Sequence, residues 1–307
     1  KQGYNRKKDG YIKTNGKKID GYKLCPNVEK GIFMTVCDGC GRAFLSSPSC
    51  KKENCPVCGK EGSSLHRQRM ARWASPIFWI AKKCKYIGYM VITIPEQNRE
   101  EFKDRERLRE FRRYIKRKLE RGDKVEIEGK DGKIVKIEFK GVKYGKVRYH
   151  WAGDKGVYNP HLNILFGSEG WIDGEILEKW KEDIAKWLSY KGKDVLEYSY
   201  ERSDITEWIW HNIWYITRPT MLLIKDEGER ESVWYSVVSG FVNDIEFGRP
   251  GDVDLEDFTE EELRKLYEDV RKERGEKDAR VCILTLGYCP FCFTKLKWKY
   301  RKVQVSE

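Results

Sequence analysis

Imidazole is scarce. The chain has four histidines in 307 residues, His66, His150, His161 and His211, so chemistry that needs a neutral nitrogen ligand or a base near neutrality has few places to reside. Long apolar runs are missing as well. None approaches the roughly 18 residues of a spanning helix, and no short apolar leader follows a basic start, so a cytoplasmic location without a membrane partner is expected. The first residue is Lys rather than Met, as in a piece of a longer protein. Core-forming side chains are plentiful: 39% hydrophobic residues, with 11 Trp, exclude a disordered chain despite 36% charged residues.

Acidic residues fall short of basic ones, 49 against 61. The resulting formal charge of +12 favours a polyanion, nucleic acid first, through attraction and counterion release. The same mixture of signs would suit a solvated surface or the ion-pair networks of a heat-adapted protein. Residues 1–24 carry eight Lys or Arg against two Asp and read as a basic arm.

Ten cysteines without a secretion signal read as metal ligands rather than disulfides. Six of them, Cys25, Cys37, Cys40, Cys50, Cys55 and Cys58, fall in a segment spanning 25–83 that ends in a helix from Ser63 to Lys83. Two Cys-x-x-Cys knuckles about 15 residues apart complete a tetrahedral sulfur site, so Cys37, Cys40, Cys55 and Cys58 are assigned to zinc, with Gly39, Gly41 and Gly59 easing the turns. A third knuckle, Cys289-Pro-Phe-Cys292, is expected either to close a second zinc site with Cys25 and Cys50 or to find partners elsewhere. Cys84 and Cys282, in apolar strand-like contexts, read as buried small hydrophobes.

Periodicity supplies the remaining elements. "YIGYMVITIP" (86–95) reads as a buried strand stopped by Pro95. Between Glu100 and Arg121, apolar residues recur at helical spacing while Arg112, Arg113, Lys116 and Arg117 cover the rest, giving a basic helix that is either a DNA contact or a solvated face. A hairpin turns at Lys130-Asp131-Gly132, and strands 146–151 and 161–166 precede a helix over 173–188. A strand at 195–200 leads to a helix capped by Ser203 and ended by Pro219. The C-terminal segment, 226–307, is expected to hold a strand near "VWYSVVSGFV", a helix over 259–273 and a closing hairpin that carries the third knuckle.

Three histidines converge on two of these elements. His161 and Asn163 are two apart on a strand and share a face, a metal-capable pair on a rigid support. An antiparallel register in which paired numbers sum to 311 sets His150 opposite His161; a one-residue slip would turn His150 away and make Asp154 the substitute ligand. His211 and Tyr215 lie one turn apart on one helix face, an arrangement that an ordinary core-edge helix would share.

The order of three signatures resembles the HUH endonucleases, the rolling-circle replication initiators of plasmids and viruses and the related single-strand transposases. They are a hydrophobic strand ending in Thr-x-Pro ("VITIP", 91–95), the strand "YNPHLNIL" (158–165), and a helix with Tyr-x-x-Arg ("YITR", 215–218). The second is similar to the family's His-hydrophobic-His signature, with Asn163 in place of its second His. The cysteine spacing followed by "RQRMARW" (67–73) is similar to the zinc-binding segment that precedes the nuclease in related transposases. Initiators of archaeal plasmids are the nearest branch.

The resemblance covers about 25–220 and implies an α+β fold, a ferredoxin-like antiparallel sheet with helices on one face over 84–225, plus zinc-ribbon elements. It further implies that Tyr215 attacks a phosphodiester of single-stranded DNA at a replication origin, leaving a 5'-phosphotyrosine and a free 3'-hydroxyl. His161, Asn163 and His150 would hold a divalent ion, Mg or Mn given the hard carbonyl of Asn163, and His211 would serve as base or further ligand. Tyr198 and Tyr200 are rival nucleophiles on a strand, and Tyr190 a candidate assistant. Arg112, Arg113, Lys116, Arg117 and Arg218 are the expected DNA contacts, with the segment around Arg67, Arg69, Arg72 and Trp73, and a host helicase or polymerase is a candidate partner. The alternatives are a mobile-element transposase and a non-catalytic zinc-ribbon protein that binds nucleic acid.

Overall fold

The structure, a computed structural model, describes residues 32–46, 48–128, 131–153, 155–248 and 257–301, with the backbone of three short strands before them. Cys25 and Asp154 lie outside the described residues. The short strands are β1 (Asn5–Arg6), β2 (Ile12–Thr14) and β3 (Lys17–Lys18), paired antiparallel within the expected arm. Strands β4 (Ile32–Val36) and β5 (Ala43–Ser46) flank the first knuckle. Helix α1 (Ser64–Ala81) starts where the Ser63 hydroxyl accepts from the His66 amide and caps it.

The core elements follow: β6 (Tyr86–Thr93), α2 (Arg105–Arg121, capped by Asp104), the hairpin β7 (Asp123–Glu128) and β8 (Ile134–Phe139), β9 (Tyr144–Ala152), β10 (Tyr158–Ser168) and α3 (Gly174–Trp187). Then come β11 (Leu196–Arg202), α4 (Thr206–Thr217), α5 (Glu227–Val233), β12 (Ile245–Gly248), α6 (Glu260–Arg274), α7 (Glu276–Thr285) and β13 (Lys299–Arg301). Three local expectations are corrected. Ile205, not Ser203, precedes the first turn of α4 and gives no side-chain cap. Trp234–Val238 is a π-helical turn rather than a strand. Residues 276–285 are helical because Ala279, Cys282, Ile283 and Leu286 recur at helical spacing and are buried together, although their β-branched neighbours resemble a strand.

One antiparallel sheet, ordered β11-β6-β10-β9-β12, organises the molecule. Its central strands are apolar on both faces, and both are covered. On one side Met90, Ile92, Val147, Leu162 and Ile164 pack against Leu108, Phe111 and Ile115 of α2 and Ile176 and Trp180 of α3. On the other, Ile87 and Leu165 pack against α1, α4, α6 and α7. Helices therefore lie on both faces, which corrects the one-faced arrangement, and the fold is a mixed α/β architecture around an antiparallel sheet. The chain beyond 225 builds this core too: β12 extends the sheet at β9, Val233, Val237 and Phe241 fill one layer, and α6 and α7 complete the other.

A buried ion-pair network joins the cysteine-rich segment to the sheet. Glu53, 2% exposed, accepts from Arg69 of α1 and Arg148 of β9 at 2.6 Å each, and its second oxygen accepts from the Thr220 amide just past α4. Burial would raise the Glu53 carboxyl, but the two guanidinium groups hold it below the usual carboxylate range. Arg148 also pairs with Asp244 ahead of β12. Gly59 keeps the loop closed over this acid, since a Cβ there would stand 1.9 Å from the Glu53 carbonyl oxygen. Replacing Glu53 by Gln leaves buried Arg69 without its acid and Arg148 with Asp244 alone, so Glu53→Gln is expected to lower unfolding stability by roughly 3 kcal/mol in urea titrations; a loss below about 1 kcal/mol would show that the network does not hold these elements together.

Candidate functional site

The β9–β10 register is the one in which numbers sum to 311: His161 faces His150, and a shift occurs only between His161 and Tyr158. Both rings project to the α4 side, their centroids 5.2 Å apart. Each spends one N–H on a backbone carbonyl. His150 Nε2 donates to Ile216 at 2.8 Å and His161 Nδ1 donates to Asn159 at 2.9 Å. Those bonds orient both rings, and His150 keeps Nδ1 as its lone-pair nitrogen, the state in which a protein presents imidazole to a metal. His150 Nδ1 is buried with no hydrogen-bond partner, and burial next to His161 pushes the His150 pKa far below the ordinary histidine value. Two facing imidazoles, that of His150 with an orphaned nitrogen, fit a divalent cation.

Tyr215 stands over this pair. Its ring centroid is 5.4 Å from that of His150 and 6.4 Å from that of Tyr89, and the Arg218 guanidinium lies 4.0 Å from the Tyr215 ring centre. The helix is held there by the preceding segment at three points: Glu53 on the Thr220 amide, Glu61 accepting from the Trp214 indole at 2.6 Å, and His66 donating to the Trp214 carbonyl at 2.9 Å. His66 accepts from the Gly62 amide through its other nitrogen, and burial lowers its pKa to about 4, so it is a neutral strut rather than a ligand.

Other candidates land elsewhere. The Asn163 carbonyl, expected to face an ion, accepts the Tyr89 hydroxyl at 2.7 Å, while its amide nitrogen is buried without a partner. Tyr89, whose hydroxyl is kept protonated by burial beside Tyr215, was not among the sequence candidates; its register position, diagonal to Asn163 on the adjacent strand, is the signal that would have found it. His211 is drawn to α6, where Arg274 donates to its Nδ1 at 2.7 Å, so that lone pair is spent away from the histidine pair. Tyr198 stacks on Phe166 in the opposite layer, and Tyr190 donates to Asp194. Arg112 is buried and donates to the carbonyls of Val242 and Asn243, so it is a structural residue rather than a DNA contact. Arg69 and Trp73 are buried as well. Arg113, Lys116 and Arg117 belong to α2, on the face of the sheet away from Tyr215.

The cysteines regroup. Cys37 and Cys40 meet Cys289 and Cys292, with Cys37 Sγ 3.3 Å from Cys292 Sγ and Cys40 Sγ 3.6 Å from Cys289 Sγ. Gly39 makes that approach possible, because a Cβ there would lie 2.4 Å from the Thr294 hydroxyl oxygen. Strand β13 pairs with β4 beside it. Cys50, Cys55 and Cys58 form a second cluster. The first site therefore joins chain segments some 250 residues apart, which corrects the pairing of Cys37 and Cys40 with Cys55 and Cys58. The four sulfurs of the first cluster fit a closed structural zinc, and the second cluster supplies three ligands of such a site. Cys84 and Cys282 are buried, as expected.

Fold and site together define an antiparallel α/β protein braced by cysteine clusters, in which a tyrosine and two histidines meet on one face of the sheet. A family model described as a transposase zinc-binding domain matches residues 1–78, the span that holds one half of the first cluster, the whole of the second and most of α1. No curated protein and no solved structure matches the chain. With the two clusters, this match supports structural zinc and a DNA-related, transposase-like role. Among the described residues no helix is long and apolar enough to cross a membrane.

Metal analysis tests the regrouping. Cys37→Ser and Cys292→Ser should each lower bound zinc by the same amount, and the double variant by no more, whereas Cys37→Ser with Cys55→Ser should lose more than either single change. Equal loss from the Cys37/Cys55 pair and its parent singles would restore the sequence-based pairing.

Proposed function

We propose that the chain is a DNA strand-cleaving and strand-transferring enzyme of a mobile element, a transposase that uses Tyr215 as nucleophile on single-stranded DNA. The observation that carries this reading is the placement of the Tyr215 ring 5.4 Å from His150, on a helix packed over the His150–His161 pair. The transposase zinc-binding match over residues 1–78 favours transposition over replication initiation.

The Tyr215 oxygen bonds to phosphorus while the bond from phosphorus to the 3'-oxygen breaks. The product is a 5'-phosphotyrosine with a free 3'-hydroxyl, which takes up the proton that the phenol has lost. His150 Nδ1 and the His161 ring would hold a divalent ion such as Mn, which imidazole suits better than Mg once the Asn163 carbonyl is spent on Tyr89; when bound, such an ion would neutralise a phosphate oxygen and orient the phosphorus. Asn163, tied to Tyr89, is placed to hydrogen-bond rather than to complete the ligand set. Arg218 packs on the nucleophile's ring and supplies a positive charge beside it for the incoming phosphate. His211, committed to Arg274, has no part in the step.

Labelled single-stranded DNA from the ends of the host element, incubated with Mn and then denatured, should yield a covalent protein adduct. Tyr215→Phe should abolish it, and His161→Ala should reduce it at least 100-fold while DNA binding persists, given the several kcal/mol that a catalytic ion supplies. An adduct of undiminished yield with Tyr215→Phe would remove Tyr215 as the nucleophile.

A further inference from the structure

The arginines of α2 face away from Tyr215, yet they are arranged as a surface. Arg113, Arg117 and Arg121 are exposed and follow one another at four-residue intervals on one side of the helix. They line an open groove of about 710 Å³ that continues past Lys118 and Gly122 to Trp187 at the end of α3. Two acids, Glu110 and Asp123, also line it, against five Lys or Arg.

The ordinary explanation of such a row is a helix of internal ion pairs, and part of α2 fits it. Arg107 pairs with Glu101 and Glu110, Arg113 with Glu106, Lys116 with Glu120, and Lys118 with Asp123 and Asp183. Arg117 and Arg121 do not fit it. Among the described residues neither has an acidic partner, and Arg117 donates only to the Arg113 carbonyl. The positive charge at this end of the groove is therefore uncompensated.

We infer that this groove binds the phosphate backbone of duplex DNA, on the opposite side of the sheet from the strand at Tyr215. Spacing supports it. Four residues advance about 6 Å along a helix, so the three guanidinium groups span about 12 Å and meet three or four phosphates at ~3.4 Å of axis each. The lining also argues against an unpaired strand. Arg107 sits 4.0 Å above the Trp187 ring, and Tyr114 stacks on that ring at 5.7 Å, so the lining aromatics are engaged with each other and with a guanidinium rather than set out as a platform for splayed bases. Guanidinium contacts without base stacking give sequence-independent backbone binding. The inference rests on the proposed function only in taking DNA as the partner.

The full chain with Arg113, Arg117 and Arg121 each changed to Gln should bind a roughly 20-base-pair duplex on the order of 50-fold more weakly near 0.2 M salt. The slope of log affinity against log salt should become shallower by about 2.7, or 0.9 per lost phosphate contact. Changing the same three residues to Lys keeps the charge and should retain the slope, which separates charge from folding. Tyr215→Phe should leave duplex binding unchanged. Adduct formation on a short single strand should survive in the Gln variant, and loss of the adduct in all proteins would sink the Tyr215 chemistry without touching the groove. A wild-type salt slope in the Gln variant overturns the inference, and an equal slope change on single-stranded DNA overturns the assignment to duplex.

Discussion

The carboxylate of Glu53, buried between Arg69 and Arg148, is the interaction on which the arrangement of this protein depends. It sits in the loop of the second cysteine cluster, yet its partners belong to α1, to the sheet and to the turn after the tyrosine helix. A buried ion pair is seldom a large net source of stability compared with an apolar substitute. Its contribution here is geometric: two guanidinium groups and one amide meet one carboxylate in a single docking of the loop, and other dockings leave that buried charge unpaired. Because Arg148 lies two residues before His150 and Thr220 two after Arg218, that docking also fixes the gap between the histidine pair and Tyr215.

The cysteine-rich segment is thus part of the site rather than an appendage to it. The span matched by the transposase zinc-binding family supplies Glu53, Glu61 and His66, which all grip α4 or the turn after it. The first cluster works at a longer range by tying the C-terminal knuckle to the N-terminal one, and α6 and α7, which lead into that knuckle, cover α1 and α4. Both clusters brace the layer that covers the histidines, and both faces of the sheet are left with a defined surface.

The strands around the site were legible because alternation marks them and a single hairpin limits their register. The facing of His150 and His161 was one of two registers that the sequence left open, and the hairpin adopts the one whose numbers sum to 311. The cysteine pairing was not legible. Cys-x-x-Cys knuckles are chemically equivalent, so nearness in sequence suggests a partner but does not select one, and the fold brings the far knuckle closer. Glu53 carried no signal, since an acid between cysteines looks solvated until its two arginines are in place. Arg112 misled for the related reason that a basic helix shows its charges in sequence but not which one turns inward. Residues 276–285 misled because a run of Val, Cys, Ile and Leu satisfies both periods, and only packing against α1 and α6 decides for the helix.

The central claim is that the two imidazoles, each fixed by a backbone carbonyl, share one divalent ion within reach of Tyr215. Anomalous diffraction at the manganese edge from crystals grown with Mn tests this most directly. The expected result is a peak between the His150 and His161 rings, next to the unpartnered Nδ1 of His150. A peak elsewhere on the molecule, or none beside this pair while zinc is seen at the cysteine clusters, would contradict it.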